Sequence, residues 1–318
     1  MLTCISVIVP CYNEEKNIPI LWNKLEELTK KFKQCFGVEL RIIYVDDGSQ
    51  DKTCDLIREL SEKNENVSYI SFSKNFGKEA AMYAGLETAE GDYVAIIDAD
   101  LQDPPELLIE MYEIIKNEPY DCIATRRIDR KGEPPIRSWF ARRFYGMMNK
   151  LSNVQIVDGA RDFRLMTRQM CDSVIAVSEK NRFSKGIFAW VGYKTKWIEY
   201  ENTKRFDGSS KWSFFKLLLY AVDGIVAFSA IPLAVSAVIG ILFCLIAFVF
   251  IFLIIVKTIL VGDPVEGWPS TICIMLFLSG IQLFCTGILG IYISKIYTET
   301  KARPIYIAKE KLIKHREN

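Results

Sequence analysis

Tyr93-Val94-Ala95-Ile96-Ile97-Asp98-Ala99-Asp100 is an apolar run that stops on two carboxylates separated by a single residue. The run is short and partly β-branched, which predicts a buried strand, and the abrupt change at Asp98 predicts its carboxyl end. Two aspartates at a strand end can both face one hard cation such as Mg2+ or Mn2+, and a cation held that way commonly bridges to substrate phosphates. A solvated acidic turn satisfies the same residues, so the surrounding sequence must decide.

Working outward, Cys4 to Val9 is a second β-branched run, and Ile18, Leu21, Leu25, Leu28 and Phe32 then recur at helical spacing. Leu40 to Val45 reads as a strand stopped by Asp46-Asp47-Gly48-Ser49, and Thr53 to Ser61 as a helix. Val67 to Phe72 and Tyr120 to Thr125 are further strands, Gly77 to Ala89 is an Ala-rich helix, and Pro104-Pro105-Glu106 opens another. Strands alternating with helices predict an α/β fold with a largely parallel sheet, whose ligands sit beyond the carboxyl ends of the strands. Pro10 to Glu14, Asp46 to Ser49, Lys74 to Glu79 and Asp98 to Asp103 all fall at such ends. One shared pocket accounts for this better than four unrelated turns.

The second part of the chain has a different composition. Of 318 residues half are hydrophobic and a quarter charged, yet Ile225 to Val256 and Thr271 to Ser294 contain no charge at all. Each exceeds the roughly 20 residues that cross a bilayer, so two transmembrane helices are expected. The connector 257–268 holds one basic residue, whereas Lys295, Lys301, Arg303, Lys309, Lys311, Lys314 and Arg316 follow the second stretch. The positive-inside rule then places the tail in the cytoplasm, and two spans return the chain to its starting side, so the N-terminal domain is expected there too, at the cell membrane. The opening apolar run Leu2 to Val9 is short and ends at Pro10, unlike a signal peptide.

Nine cysteines without a C-x-x-C pair point to reduced thiols. The single histidine, His315, lies in the tail, which argues against a zinc site or a histidine-based triad in the main domain. Basic residues gather between Arg126 and Lys216 and in the tail, where anionic lipid is the natural partner; no motif supports nucleic acid. Segment 136–151 mixes Trp139, Phe140, Phe144 and Tyr145 with Arg137, Arg142 and Arg143, the pattern of a helix lying on a bilayer surface, and Trp212 to Leu219 reads as a second one.

V-I-V-P-C-Y-N-E-E (Val7 to Glu15), V-D-D-G-S (Val45 to Ser49), K-N-F-G-K-E (Lys74 to Glu79) and D-A-D-L-Q-D-P-P (Asp98 to Pro105) occur in that order. Together they resemble family 2 glycosyltransferases of GT-A fold. With D-G-A-R-D-F-R-L (Asp158 to Leu165), R-F-D-G-S-S-K-W (Arg205 to Trp212) and two C-terminal spans, the whole chain resembles polyprenyl-phosphate glycosyltransferases, close to bactoprenol glucosyltransferases and dolichol-phosphate mannose synthases. The resemblance implies a GT-A catalytic domain at 1–203, an acceptor-binding loop and amphipathic helix at 204–224, a membrane domain at 225–295 and a basic tail at 296–318.

It also implies roles. Pro10, Tyr12, Glu14 and Asp47 would surround the nucleoside, Asp98, Asp100 and Gln102 would hold Mg2+ or Mn2+ on the donor diphosphate, and Asp162 matches the proposed base. Lys78 either touches the donor or is a solvated lysine at a helix start. Arg126, Arg205, Ser210 and Lys211 would bind the acceptor phosphate; Arg137 and Arg142 would do the same or form a general membrane-facing surface. A phosphate monoester with a second pKa near about 6 is already largely ionised at neutral pH, so Asp162 is expected mainly to position the acceptor or to take its last proton.

The expected reaction is an inverting transfer of one sugar from a UDP-sugar to undecaprenyl or another polyprenyl phosphate. Glucose is the first expectation, with N-acetylglucosamine, GDP-linked mannose and an aminoarabinose-type sugar as alternatives. Processive polysaccharide synthases share the early motifs, but their Q-x-x-R-W motif is absent here. A non-enzymatic nucleotide-sugar sensor would require a broken motif, and a transferase to a non-lipid acceptor would leave Arg205 to Trp212 without a role. Relatives imply a homo-oligomer, a tetramer being one form, and Ser279, Gly280, Gly287 and Gly290 would allow close helix packing between copies or between the spans of one copy.

Overall fold

The computed structural model of the protein describes residues 3–127, 157, 159–200, 226, 231–261 and 267–314. The chain forms two compact units, one of Met1–Ala221 with Pro304–Asn318, the other of Val222–Arg303. The expected surface helices at 136–151 and 212–219, with Arg137, Arg142, Arg205, Ser210 and Lys211, lie outside the described residues.

In the first unit β1 (Cys4–Cys11), α1 (Ile18–Phe36), β2 (Glu39–Asp46), α2 (Thr53–Lys63), β3 (Val67–Phe72), α3 (Lys78–Thr88), β4 (Tyr93–Ile96) and α4 (Leu107–Asn117) alternate as expected. β5 (Cys122–Arg127), β6 (Ala160–Thr167), α5 (Arg168–Ala176), α6 (Ser184–Trp190) and β7 (Thr195–Tyr200) follow. The helical periodicity of α1 has a direct outcome, because Ile18, Leu21, Leu25, Leu28 and Phe32 are all buried against the sheet core. On the other face α3 lies close to β1: a Cβ at Gly85 would stand 2.2 Å from Ile8 Cγ2, so only glycine allows this approach.

The sheet runs β7-β5-β6-β4-β1-β2-β3-β8, where β8 is Ala308–Leu312. β4, β1, β2 and β3 are mutually parallel, whereas β6 is inserted antiparallel between β4 and β5. This is the mostly parallel, Rossmann-like sheet of the GT-A type. The chain leaves β1 toward β2 on one side, while β4 flanks it on the other, so the strand order reverses there. In open α/β sheets ligands bind in the crevice at such a reversal. Pro10, which lacks an N–H, is accommodated because the β1–β4 register stops at Ile8 opposite Ile96.

β6, β7 and β8 exceed what periodicity predicted. β6 carries Arg161, Asp162 and Arg164 and therefore reads as a polar motif, although Phe163 and Leu165 are fully buried. The segment expected as a basic tail contains β8, which pairs antiparallel with β3 from Tyr69–Leu312 to Phe72–Ala308. Its sequence, A-K-E-K-L, is charged as edge strands often are, and its partner lies more than 200 residues away in the chain.

The second unit contains α7 (Ile231–Val261) and α8 (Trp268–Thr300), both long and apolar enough to cross a bilayer. Each helix ends later than the uncharged stretch, at Val261 rather than Val256 and at Thr300 rather than Ser294, since charged residues can extend a helix beyond its apolar part. Val238, Phe248 and Leu283 are 64%, 73% and 72% exposed, and a surface of such residues calls for lipid or another protein around it. Phe243 and Phe277 pack edge to face at 5.6 Å, and Cys285 Sγ lies 3.6 Å from the Ser236 carbonyl.

Candidate active site

The loops after β1 and β2 are locked to one another. Asn13, at φ 55°, takes the left-handed conformation that asparagine tolerates; its N–H donates to Ser49 Oγ at 2.9 Å, and its Oδ1 accepts from the Gln50 N–H at 2.9 Å. The Glu14 N–H donates to Thr53 Oγ1 at 2.8 Å, while its carboxylate accepts from Asn17 Nδ2 at 2.6 Å. Tyr12 stands partly exposed between Cys11, the last residue of β1, and this clasp. Pro10, Tyr12 and Glu14 are thus brought to one rim of the crevice.

Asp47 is buried, and its two carboxylate oxygens accept from the backbone N–H groups of Phe76, at 2.6 Å, and Gly77, at 2.9 Å. Burial pushes its carboxyl up to about 6, against the pull of these N–H groups. The residue assigned to the nucleoside therefore also ties the second loop to the third. Between them Gly48, at φ +67°, brings its Cα so close that a Cβ would lie 2.5 Å from the Lys74 carbonyl carbon. Gly48→Ala is expected to destabilise the first unit by at least about 2 kcal/mol through left-handed strain and this clash. A Tm within 1 °C of wild type would contradict it.

Asp98 and Asp162 come together through the sheet. The antiparallel register sets Ile96 opposite Arg164, and two residues further along it Asp98 is level with Asp162. Lys78, in the first turn of α3, bridges them: its Nζ is 2.6 Å from Asp98 Oδ1 and in close contact with Asp162 Oδ2. Burial disfavours the Lys78 ammonium, but the carboxylates of Asp162 and Asp98 outweigh it and raise its pKa, although 44% of the side chain remains exposed. Asp98 is raised, chiefly by burial and against the pull of Lys78. Burial raises Asp162 as well, yet Lys78, then Lys185 and Arg164, hold it well below the usual carboxylate range.

Asp100 Oδ1 accepts from the Gln102 N–H at 3.2 Å, closing a turn in which Leu101 takes φ 57°. A leucine in the left-handed region is strained, and such strain gathers at functional sites. Gln102, expected near the cation, is engaged by two arginines. Its Oε1 accepts from the guanidinium groups of Arg127, at 2.5 Å, and Arg161, at 3.2 Å, and would have to leave both to reach a cation. Arg161 also holds the fully buried Asp103 at 3.0 Å, which accepts from the Tyr200 hydroxyl too. Arg126, expected at the acceptor phosphate, is ion-paired with Glu199 of the neighbouring strand.

Lys185 and Ser184 lie outside every motif, while Glu79 and Arg164 lie inside motifs that assign them no role. Lys185 donates to the Ala160 carbonyl at 2.8 Å, near Asp162, and Glu79 accepts from the Ser184 N–H at 3.0 Å, so α3 and α6 are joined beside that carboxylate. Buried Arg164 stacks on Phe188 at 3.6 Å. A lysine-bridged pair of aspartates, next to an acidic turn and two arginines, makes a polar crevice at the sheet's reversal point, suited to an anionic ligand.

Polar loops gathered at the strand ends of a Rossmann-like sheet place the protein among the doubly wound α/β proteins, whose ligands bind at such a reversal. The sequence profile of glycosyl transferase family 2 matches residues 6–175, and the chain belongs to that family. Over 306 residues it is 42% identical to the putative glycosyltransferase CsbB of Bacillus subtilis (strain 168), covering 96% of this chain and 91% of that one. Over 307 residues it is 40% identical to the bactoprenol glucosyl transferase of Shigella phage SfX, covering 96% and 99%. Among solved structures it is similar to mannosyl-3-phosphoglycerate synthase from Rubrobacter xylanophilus, at 18% identity, with a TM-score of 0.48 over 71% of this chain and 73% of that one.

Proposed function

We propose that the protein transfers a single glucose, with inversion, from UDP-glucose to the phosphate of a polyprenyl lipid at the cytoplasmic face of the cell membrane. The observation that carries this reading is the extent of the match: the relative named bactoprenol glucosyl transferase aligns with 96% of this chain, a span that takes in both the strand-end motifs and the apolar helices. Bactoprenol is itself a polyprenol. The exposed apolar surfaces of α7 and α8 support a membrane location, and β8 supports a hairpin topology, since the chain returns after α8 to the sheet it left before α7. The lysines and arginines of the tail then favour the cytoplasmic side.

The donor set at the end of β4 fits a hard divalent cation. Asp98 and Asp100 offer carboxylate oxygens, and among the described residues no group of three or more His, Cys, Asp or Glu surrounds one point. Two protein carboxylates with the diphosphate and water completing the shell is the ordinary way in which Mg2+ is held. Once bound, the cation would neutralise charge developing on the departing UDP. Lys78 and Arg161 add fixed positive charge beside the same carboxylates. Asp162, kept ionised by Lys78 and its neighbours, orients the acceptor while the lipid phosphate supplies its own anionic oxygen. Arg205, Ser210 and Lys211 are proposed to receive that phosphate.

A homo-oligomer is also proposed. Cβ positions at Gly280, Gly287 and Gly290 of α8 meet nothing within 4 Å, which leaves a face where another copy's helix can approach closely. The decisive test is incubation of the purified protein with undecaprenyl phosphate, Mg2+ or Mn2+, and a panel of UDP- and GDP-sugars. A glucosylated lipid formed from UDP-glucose in preference to the other donors is expected; no lipid-linked product from any donor would overturn the reading.

A further inference from the structure

We propose that the C-terminal tail is a strap that positions the donor side of the crevice, and that Tyr306 is the residue through which it acts. Only residues 301–307 separate α8 from β8, so the strap begins directly after the apolar unit. Its far end is anchored through both Glu310 and Lys314. Arg58 pairs with Glu310 at 2.9 Å, the Lys314 N–H donates to Ser68 Oγ at 3.0 Å, and Lys314 Nζ donates to the Asn64 carbonyl at 3.0 Å.

At the near end the Ser73 N–H donates to the Ile307 carbonyl at 3.0 Å, and Tyr306 grips both sides of the loop that follows β3. Its ring stacks on Phe72 at 4.9 Å with planes 21° apart, and its hydroxyl donates to Glu87 in the last turn of α3 at 2.7 Å. Burial and the Glu87 carboxylate raise the phenol's pKa, so it remains a donor.

From there the contacts run without a break into the crevice. Phe72 meets Phe76 edge to face at 5.8 Å. The N–H groups of Phe76 and Gly77 hold the Asp47 carboxylate, and the next residue, Lys78, bridges Asp98 and Asp162. Residues 73–77 have no ladder of their own, and Gly77 takes φ +98°. A segment with so few regular backbone bonds takes its position from side-chain packing at its two ends. Tyr306 supplies that packing at Phe72 and, through Glu87, fixes the helix that carries Lys78.

The claim about the donor rests on the function proposed above, whereas the claim about the loop does not. The test therefore pairs two measurements on the full-length protein in lipid nanodiscs. In hydrogen exchange, Tyr306→Ala is expected to speed exchange of the Phe76 and Gly77 amides at least tenfold, leaving amides of β1 unchanged. In kinetics with UDP-glucose, the same variant is expected to raise the donor KM about tenfold while kcat and the acceptor KM stay within twofold. Tyr306→Phe keeps the stacking but loses the hydrogen bond to Glu87, and is expected to fall between wild type and Tyr306→Ala in both. If Tyr306→Ala cannot be purified folded, Tyr306→Leu, which fills space without a ring, takes its place. Unchanged exchange at Phe76 and Gly77, or faster exchange with an unchanged donor KM, would overturn the proposal. Absence of turnover in the wild type would count against the proposed function alone, because exchange is read without substrate.

Discussion

Asp100→Asn is expected to lower kcat at least about 10³-fold, equivalent to about 4 kcal/mol of lost transition-state stabilisation. The substitution is chosen because an asparagine Oδ1 can still accept the Gln102 N–H that closes the turn around Leu101, so the backbone is preserved while one negative charge is lost. The effect then belongs to the charge. Asp98 remains, but its charge is already shared with Lys78 at 2.6 Å, so it cannot by itself replace the charge lost at Asp100. Mn2+ titration followed by electron paramagnetic resonance should show at least tenfold weaker binding in the presence of UDP, and Tm should stay within about 3 °C of wild type. EDTA should abolish wild-type turnover, with restoration by Mg2+ or Mn2+. A loss of kcat below tenfold would separate Asp100 from the chemistry.

Asp162→Asn is expected to lower kcat about 10²-fold, the scale of a misplaced reactant, and by the same factor at pH 6 and pH 8. The sign follows from the surroundings of the carboxylate. Lys78, Lys185 and Arg164 depress its pKa, so it is ionised throughout the assay range and contributes no acid limb of its own. A carboxylate held that low is also a poor proton acceptor, because general-base efficiency falls with pKa. As pH drops through about 6, the second pKa of the acceptor phosphate, the reactive dianion is lost and the rate should fall alike in wild type and variant. A variant close to normal at pH 8 and inactive at pH 6 would instead make Asp162 the base.

Ile18, Leu21, Leu25, Leu28 and Phe32 declare α1 because helical spacing is a local property, and all five are buried where that spacing puts them. The strand-end motifs are legible for the same reason: a β-branched run and the polar turn that stops it are contiguous. Lys78 was ambiguous because a lysine at a helix start looks the same whether solvated or bridging two aspartates. The place of Gln102 in D-A-D-L-Q-D points it to the cation, and its contacts with Arg127 and Arg161, 25 and 59 residues away, are visible only in the fold.

The alternation of strands and helices, the four polar loops at strand ends and the two long uncharged stretches are legible in the sequence, since each follows from residues adjacent in the chain. Only the tertiary structure decided that β6 enters the sheet antiparallel beside β4, bringing Asp162 level with Asp98, and that β8 closes the far edge with Tyr306 against Phe72. The physical reason is the same in both cases. Strand pairing is made by backbone hydrogen bonds that carry no residue code, so register between distant segments is set by the packing of the whole sheet. The paired aspartates, the lysine between them and the strap behind that lysine are consequences of that register.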